Sequence, residues 1–191
     1  MNKALFLDRD GVININYGYV HQTSNFEFID GIFDLVQRAN EQGYKVIVVT
    51  NQSGIGRGMY TEADFTLLSA WMVSIFAKNS AVIDDVLFCP HHPRAKLQEY
   101  KELCECRKPK PGMLITAATR HDVSLAQSIM VGDKRSDMEA AIEAGIGSAV
   151  WFDTECLDTN KKRALALTAA SLSTNKTSIA VTHSLSTVIP R

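Results

Sequence analysis

Short apolar runs alternate with amphipathic stretches along most of this chain. Ala4–Leu7 predicts a strand. Gly31–Gln42 predicts a helix, with Ile32, Phe33, Leu35, Val36 and Ala39 on one face and Gly43 as its stop. Lys45–Val49 is a β-branched run suited to a buried strand. Thr61, with Asp64 three residues on, is an N-cap that opens a helix to about Lys78. Asp85–Phe88 predicts a short strand, and residues 89–110 are turn-rich, with Pro90, Pro93 and Pro109. Then come a helix over Pro111–His121 with proline in its first turn, a strand over Ser128–Val131, a helix over Ser136–Ala144 stopped by Gly145, and a strand over Ser148–Phe152. Such alternation predicts an α/β fold: a doubly wound, mainly parallel sheet with helices on both faces. Ligands of such sheets sit at the carboxyl ends of the strands. The last forty residues are rich in Ser and Thr and less regular. Thr177–Val181 predicts an edge strand and Ser184–Ile189 a short helix.

Length and composition narrow the classes. The 191 residues suit a single domain with a small insertion, and 46% hydrophobic content suits a globular core. A net charge of −1 announces no basic surface for nucleic acid or membrane. No apolar run reaches the length of a membrane span, and the first residues lack a signal-peptide pattern, so the expectation is a cytoplasmic protein, a monomer without nucleic-acid or membrane partners.

The chemistry gathers at the strand ends. The first strand runs into Asp8-Arg9-Asp10-Gly11, the second into Thr50-Asn51-Gln52-Ser53, and the fourth into Gly132-Asp133-Lys134 and, beyond it, Asp137. Arg107-Lys108-Pro109 follows the turn-rich segment. In a parallel sheet these sets share one rim. Carboxylates crowded there would repel unless a hard cation neutralised them, and oxygen ligands point to Mg²⁺. One carboxylate can attack phosphorus and a second can carry the proton, while a hydroxyl and an ammonium hold the transferring oxygens.

"FLDRDGVI", "VVTNQSG", "CRKPKPG" and "VGDKRSD", in that order, resemble the four motifs of the haloacid dehalogenase (HAD) superfamily of phosphatases. The resemblance covers roughly residues 4–150. It implies Asp8 as nucleophile, Asp10 as general acid/base, and Thr50 and Lys108 steadying the phosphoryl group. It places Mg²⁺ on Asp8, Asp133 and the backbone carbonyl of Asp10, with Asp137 behind them.

Cys89-Pro-His91 and Cys104-Glu-Cys106 supply the ligand types of a tetrahedral Cys₃His zinc site, structural because no position is left open. His92 competes with His91, and His91 is preferred because residues 89 and 91 of an extended segment point to the same side. Cys156 stands apart as a plain small side chain. "FLDRDGVININYGYVHQTSNFEFIDG", "TNQSGIGRGMYTEADF" and "CPHHP…CECRKPKPGM" are similar to the zinc-loop branch of the superfamily, which holds the heptose bisphosphate and histidinol-phosphate phosphatases, and more to the former. That similarity implies a heptose 1,7-bisphosphate losing its 7-phosphate on the route to ADP-heptose for lipopolysaccharide. By position it implies substrate contacts from Asp8, Arg9 and Asp10, from Asn16, Tyr17, Gly18 and Tyr19, from Thr50, Asn51, Gln52 and Ser53, and from Arg107, Lys108 and Lys134.

Arg107 suits a second phosphate, because its planar fork binds oxyanions bidentately. Only about forty residues separate Asp10 from Thr50, too few for a large cap domain there. The expected organisation is one HAD-like domain over 1–191, with a zinc loop at about 89–109 and a less regular segment at about 154–191. The competing readings are histidinol-phosphate hydrolysis, favoured if acids line the pocket, a catalytically silent phosphosugar-binding module, which would not need Asp8, and a zinc-stabilised interaction domain.

Overall fold

The computed structural model describes residues 1–153 and 159–189, with only the backbone of 159–163. Cys156 and part of the 154–191 segment therefore lie outside the described residues. Six strands form one sheet: β1 (Lys3–Leu7), β2 (Tyr44–Asn51), β3 (Asp85–Cys89), β4 (Ile129–Gly132), β5 (Ser148–Phe152) and β6 (Ser178–Thr182). Their spatial order is β3-β2-β1-β4-β5-β6, and every neighbouring pair is parallel. The chain direction of winding reverses between β1 and β4, where a crevice opens beyond the strand ends.

Both faces of the sheet are covered, which is why the strands read as continuous apolar runs rather than alternating ones. Leu5, Leu7, Val46, Val48 and Val131 pack toward α1 (Ile32–Glu41) and α3 (Glu62–Lys78). Ala4, Phe6, Ile47, Val49 and Met130 point the other way, toward α4 (Gly112–His121) and α5 (Arg135–Ala144). The helices start and stop where their sequences direct. Thr61 Oγ1 accepts from Asp64 N at 3.1 Å while the Asp64 carboxylate accepts from Thr61 N at 2.8 Å, a reciprocal cap on α3. Gly145 closes α5 in the left-handed conformation.

Three details differ from the sequence expectation. Pro111 stands at the N-cap of α4 rather than within its first turn. The helix expected over Ser184–Ile189 is a single 3-10 turn, Leu185–Thr187, and it is pinned by Arg38, whose Nε and Nη2 donate to Ile189 O and Leu185 O at 3.2 and 3.3 Å. The tail also carries α6 (Thr159–Leu172), which packs through a narrow stripe of Leu165, Ala169 and Leu172. A short α2 (Ser53–Gly56) follows β2. Loops, a 3-10 turn (Thr23–Asn25), α1, α2 and α3 stand between the first three strands, and no large cap domain is found among the described residues.

Candidate active site and metal centres

Register sets the site. Leu7 pairs with Val48 on one side and Val131 on the other. Asp8 extends that ladder by one bond, donating its N–H to Val131 O at 3.0 Å. Its carboxylate thus stands at the crevice between β1 and β4, buried. The chain then turns on Arg9 O, which accepts from Ile13 N at 2.8 Å and Asn14 N at 3.1 Å. Gly11 takes a positive φ of 101°, and a Cβ there would lie 2.3 Å from Asp133 Oδ2. Only glycine lets the Asp133 carboxylate seat against this loop.

Lys108 reaches the rim from the far side. Its Nζ lies 3.0 Å from Asp8 Oδ1 and 2.6 Å from Asp137 Oδ1, and donates to Val49 O at 2.8 Å. The Asn51 side chain fixes its backbone, donating to Lys108 O at 2.9 Å and accepting from Lys108 N at 3.0 Å. The Lys108–Pro109 peptide is cis. Burial works against the ammonium's charge, but Asp137 and Asp8 outweigh it and raise the Lys108 pKa above its ordinary value. Burial likewise pushes the Asp8 carboxyl up, and Lys108 and Lys134 more than reverse this, holding it below the usual carboxylate range. The balance favours an ionised Asp8 carboxylate at the crevice.

Asp10 is held on both oxygens. Arg9 Nη2 donates at 2.9 Å, Asn14 Nδ2 reaches Oδ1 at 3.1 Å, and Gln52 Nε2 reaches Oδ2 at 3.0 Å. Gln52 also donates to Thr50 Oγ1 at 3.0 Å. Arg9 itself turns inward. It is 1% exposed, donates to Val20 O at 2.7 Å, and its guanidinium lies 5.6 Å from the Phe65 ring centroid. Its side chain backs Asp10, and its Nη1 has no hydrogen-bond partner among the described residues. Asn51 and Gln52 are similarly committed to other protein groups.

The oxygens expected to hold Mg²⁺ converge on one cation that is present, the Lys134 ammonium. It lies 3.2 Å from Asp133 Oδ2, 3.5 Å from Asp10 O and 4.0 Å from Asp8 Oδ2. Burial and the Asp8 charge push the Asp133 carboxyl up to about 7, the mark of negative charge left under-compensated. Hard oxygen donors with surplus negative charge fit a divalent cation such as Mg²⁺. Asp8, Asp133 and Asp137 have carboxylate oxygens within 4.8 Å of one another. Both Asp137 oxygens are already engaged, one by Lys108 Nζ and the other by Lys134 N at 3.0 Å.

The thiol loop is compact. Cys106 Sγ lies 2.9 Å from Cys89 Sγ and 3.2 Å from Cys104 Sγ, and His91 Nδ1 lies 3.4 Å from Cys106 Sγ. Sulfurs on a tetrahedral zinc stand about 3.8 Å apart, given a Zn–S bond of about 2.3 Å, so a small expansion would admit the ion. Hydrogen bonds from Cys89 and Cys104 bring the Cys106 thiol down to about 5, while sharing a proton with Cys106 raises Cys89. One thiolate shared among three sulfurs fits a soft divalent cation. The other ring nitrogen of His91 faces Glu102 at 3.8 Å, the partner a metal-bound imidazole uses to set its tautomer. His92 instead accepts from Arg94 N at 2.9 Å, outside the cluster.

Around this rim, Asn16–Tyr19 form an exposed loop, with Tyr17 donating to Glu27 at 2.6 Å. Ser53 begins α2, and Arg107 Nη1 donates to His91 O at 3.2 Å, tying the rim to the thiol loop. Sequence reasoning missed Asn14, Tyr60 and Arg57. Asn14 and Tyr60 support Asp10 or Gln52 from behind, and Arg57 lies 6.0 Å from the Tyr19 ring centroid. Their only sequence signal is nearness to the first two motifs. Among the described residues, no helix is long and apolar enough to cross a membrane.

Comparison with known proteins gives a consistent picture. Residues 105–155 match the HAD-hydrolase-like family. The chain is 48% identical over 151 residues to the D-glycero-beta-D-manno-heptose-1,7-bisphosphate 7-phosphatase of Escherichia coli (strain K12), covering 79% of each chain. Against the enzyme of the same name from Vibrio cholerae it is 46% identical over 163 residues, covering 85% of this chain and 88% of that one. Among solved structures it is similar to the D,D-heptose 1,7-bisphosphate phosphatase from B. bronchiseptica complexed with magnesium and phosphate. The TM-score is 0.78 and the identity 30%, over 98% of this chain and 96% of that one.

Proposed function

This chain belongs to the heptose-1,7-bisphosphate 7-phosphatase family of HAD-like hydrolases, and from that premise we propose that it removes the 7-phosphate of D-glycero-D-manno-heptose 1,7-bisphosphate. The observation that carries the reading is the meeting of Asp8, Asp10, Lys108 and Asp133 at one rim of the sheet, with Lys108 touching Asp8 at 3.0 Å.

An Asp8 carboxylate oxygen attacks phosphorus, and the bond from phosphorus to the sugar O7 breaks. Asp10 gives its proton to that departing oxygen, leaving heptose 1-phosphate and an aspartyl phosphate on Asp8. Asp10 then takes a proton from water as the water attacks phosphorus, which returns Asp8 as a carboxylate and frees inorganic phosphate. Thr50 Oγ1 and Lys108 Nζ hold the equatorial oxygens, and Lys108 stays charged because Asp137 and Asp8 flank it. Asp8, Asp133 and the carbonyl of Asp10 would hold Mg²⁺, which offsets the charge of the phosphoryl group when bound.

Arg107 and the Asn16–Tyr19 loop face the sugar and its far phosphate, and a guanidinium suits that oxyanion. Cys89, His91, Cys104 and Cys106 would hold a structural Zn²⁺ that fixes the segment leading to Arg107. A cysteine set arranged for a metal rather than for disulfides suits the reducing cytoplasm. The product feeds ADP-heptose and lipopolysaccharide core synthesis.

The test is phosphate release from both heptose 1,7-bisphosphate anomers, fructose 1,6-bisphosphate and histidinol phosphate, with and without Mg²⁺. A heptose bisphosphate should give the highest kcat/KM and require Mg²⁺. A higher kcat/KM for histidinol phosphate would overturn the substrate assignment.

A further inference from the structure

Behind the acid/base carboxylate lies a chain of three contacts. Tyr60 donates its hydroxyl to Gln52 Oε1, and Gln52 Nε2 donates onward to Asp10 Oδ2 and Thr50 Oγ1, each at 3.0 Å. Gln52 is 2% exposed and Tyr60 7%. An amide offers donors at one end and an acceptor at the other. With its N–H groups on a carboxylate and a hydroxyl, Gln52 must place Oε1 away from Asp10. A buried acceptor there requires a donor. Tyr60 is that donor, and burial pushes its phenol up to about 12, so the proton stays in place across the working range.

The ring itself is built in. Its outer face stacks on His21, with centroids 4.9 Å apart and planes 6° apart. On another side lies Gly54, where a Cβ would stand 2.2 Å from Tyr60 Cε1. Ile55 and Phe65 complete the cluster around it. The glycine after Ser53 is thus required by the tyrosine, and the tyrosine by the glutamine.

We propose that Tyr60 is a positioning residue for the acid/base step: acting through Gln52, it holds the Asp10 carboxyl group in the orientation from which its protonated form delivers a proton to the departing sugar oxygen. The inference rests on the phosphatase reading above. Without the hydroxyl, Oε1 is left unpaired, and the amide relieves this by turning over or drifting, which places an oxygen against the Asp10 carboxylate or removes its donor.

The experiment compares Tyr60→Phe, which keeps the ring, with wild type on two substrates. A sugar oxygen needs a proton to leave, whereas 4-nitrophenolate leaves without one. For both, kcat/KM reports steps up to formation of the aspartyl phosphate. Proton transfer contributes roughly 10²–10⁴-fold, so partial misplacement should cost about 10-fold or more on heptose bisphosphate. The loss on 4-nitrophenyl phosphate should be below about threefold, because no protonation is interrupted there. In a Gln52→Met background, Tyr60→Phe should add almost nothing, because residues acting through one another are not additive. Equal loss on both substrates, or an undiminished loss in the Gln52→Met background, overturns the proposal. If wild type prefers another alkyl phosphate, the substrate assignment fails alone, and the same comparison is made with that ester. Thermal unfolding of each variant identifies a folding defect, and a loss on the sugar phosphate that merely tracks unfolding also overturns the proposal.

Discussion

Lys108→Met removes the one cation buried between Asp8 and Asp137. At 3.0 and 2.6 Å the two contacts each represent about 5–6 kcal/mol of gross attraction at an effective dielectric near 20, much of it cancelled by the desolvation of three charges. The net cost of deleting one member of such a buried set is about 3–5 kcal/mol, because the remaining charges are left without compensation. For a chain of this size that is a fall in melting temperature of about 6–20 °C. The pH dependence carries the diagnosis. Lys108 has a raised folded pKa, so its contribution is fully present below its unfolded value and fades only as pH rises through the folded one. Asp8 has a depressed folded pKa, so its contribution is present above its unfolded value and is lost as pH falls through the folded one. Wild type therefore keeps both at neutral pH. In the variant the Asp8 carboxyl loses the cation that holds it down and rises, the Asp137 carboxyl, which burial already holds above its ordinary value, rises further, and the folded state takes up more protons on acidification than wild type does. The stability gap to wild type should be widest near pH 7.5 and narrow toward pH 5.5. Urea unfolding in Mg²⁺-free buffer at the two pH values measures it. A gap below about 1 kcal/mol at pH 7.5, or one that widens on acidification, would refute the reasoning.

Other outcomes follow from the same geometry. Asp8→Asn should abolish turnover on every phosphate ester while the circular dichroism spectrum stays that of wild type, and substantial phosphate release would end the nucleophile assignment. Purified protein should hold about one zinc per chain, lost in His91→Ala and kept in His92→Ala, since Nδ1 of His91 faces the sulfurs; elemental analysis decides between the two histidines. Arg107→Ala should lower kcat/KM for the bisphosphate by roughly 10–100-fold, the worth of a bidentate charge-assisted contact, and spare an aryl phosphate. Parallel losses on both would mean that Arg107 serves the loop through His91 O instead.

How much of this was legible in the sequence depended on the kind of signal. The strands were plain because burial on both faces leaves long apolar runs, and the caps at Thr61 and Gly145 were plain because each rests on one residue type at a fixed place. α6 was obscure because its apolar stripe is only Leu165, Ala169 and Leu172, set among Ser, Thr and Lys. The rim acids announced themselves by interrupting apolar strands. The direction in which Arg9 turns did not, since a cation beside two carboxylates can face either way and only Val20 O and the aromatic wall decide it. The Tyr60–Gln52 contact has no periodicity and no motif, so nothing along the chain could reveal it.

The strand order carries a consequence for how the polypeptide is made. β1 is completed on one side by β2, but its other edge waits for β4; Ala4 N finds Ser128 Oγ across 124 residues of chain. Synthesis at roughly 5–20 residues per second leaves Ala4–Leu7 with an open, apolar edge for about 6–25 s after it emerges. During that interval the nascent half-sheet is a template for pairing with another chain. The same delay means that Asp8 and Asp133 come together only after the whole segment between them has been made. Reactive machinery is thus absent from the growing chain, and the closing of β4 against β1 ends the vulnerable period and creates the active centre in a single event.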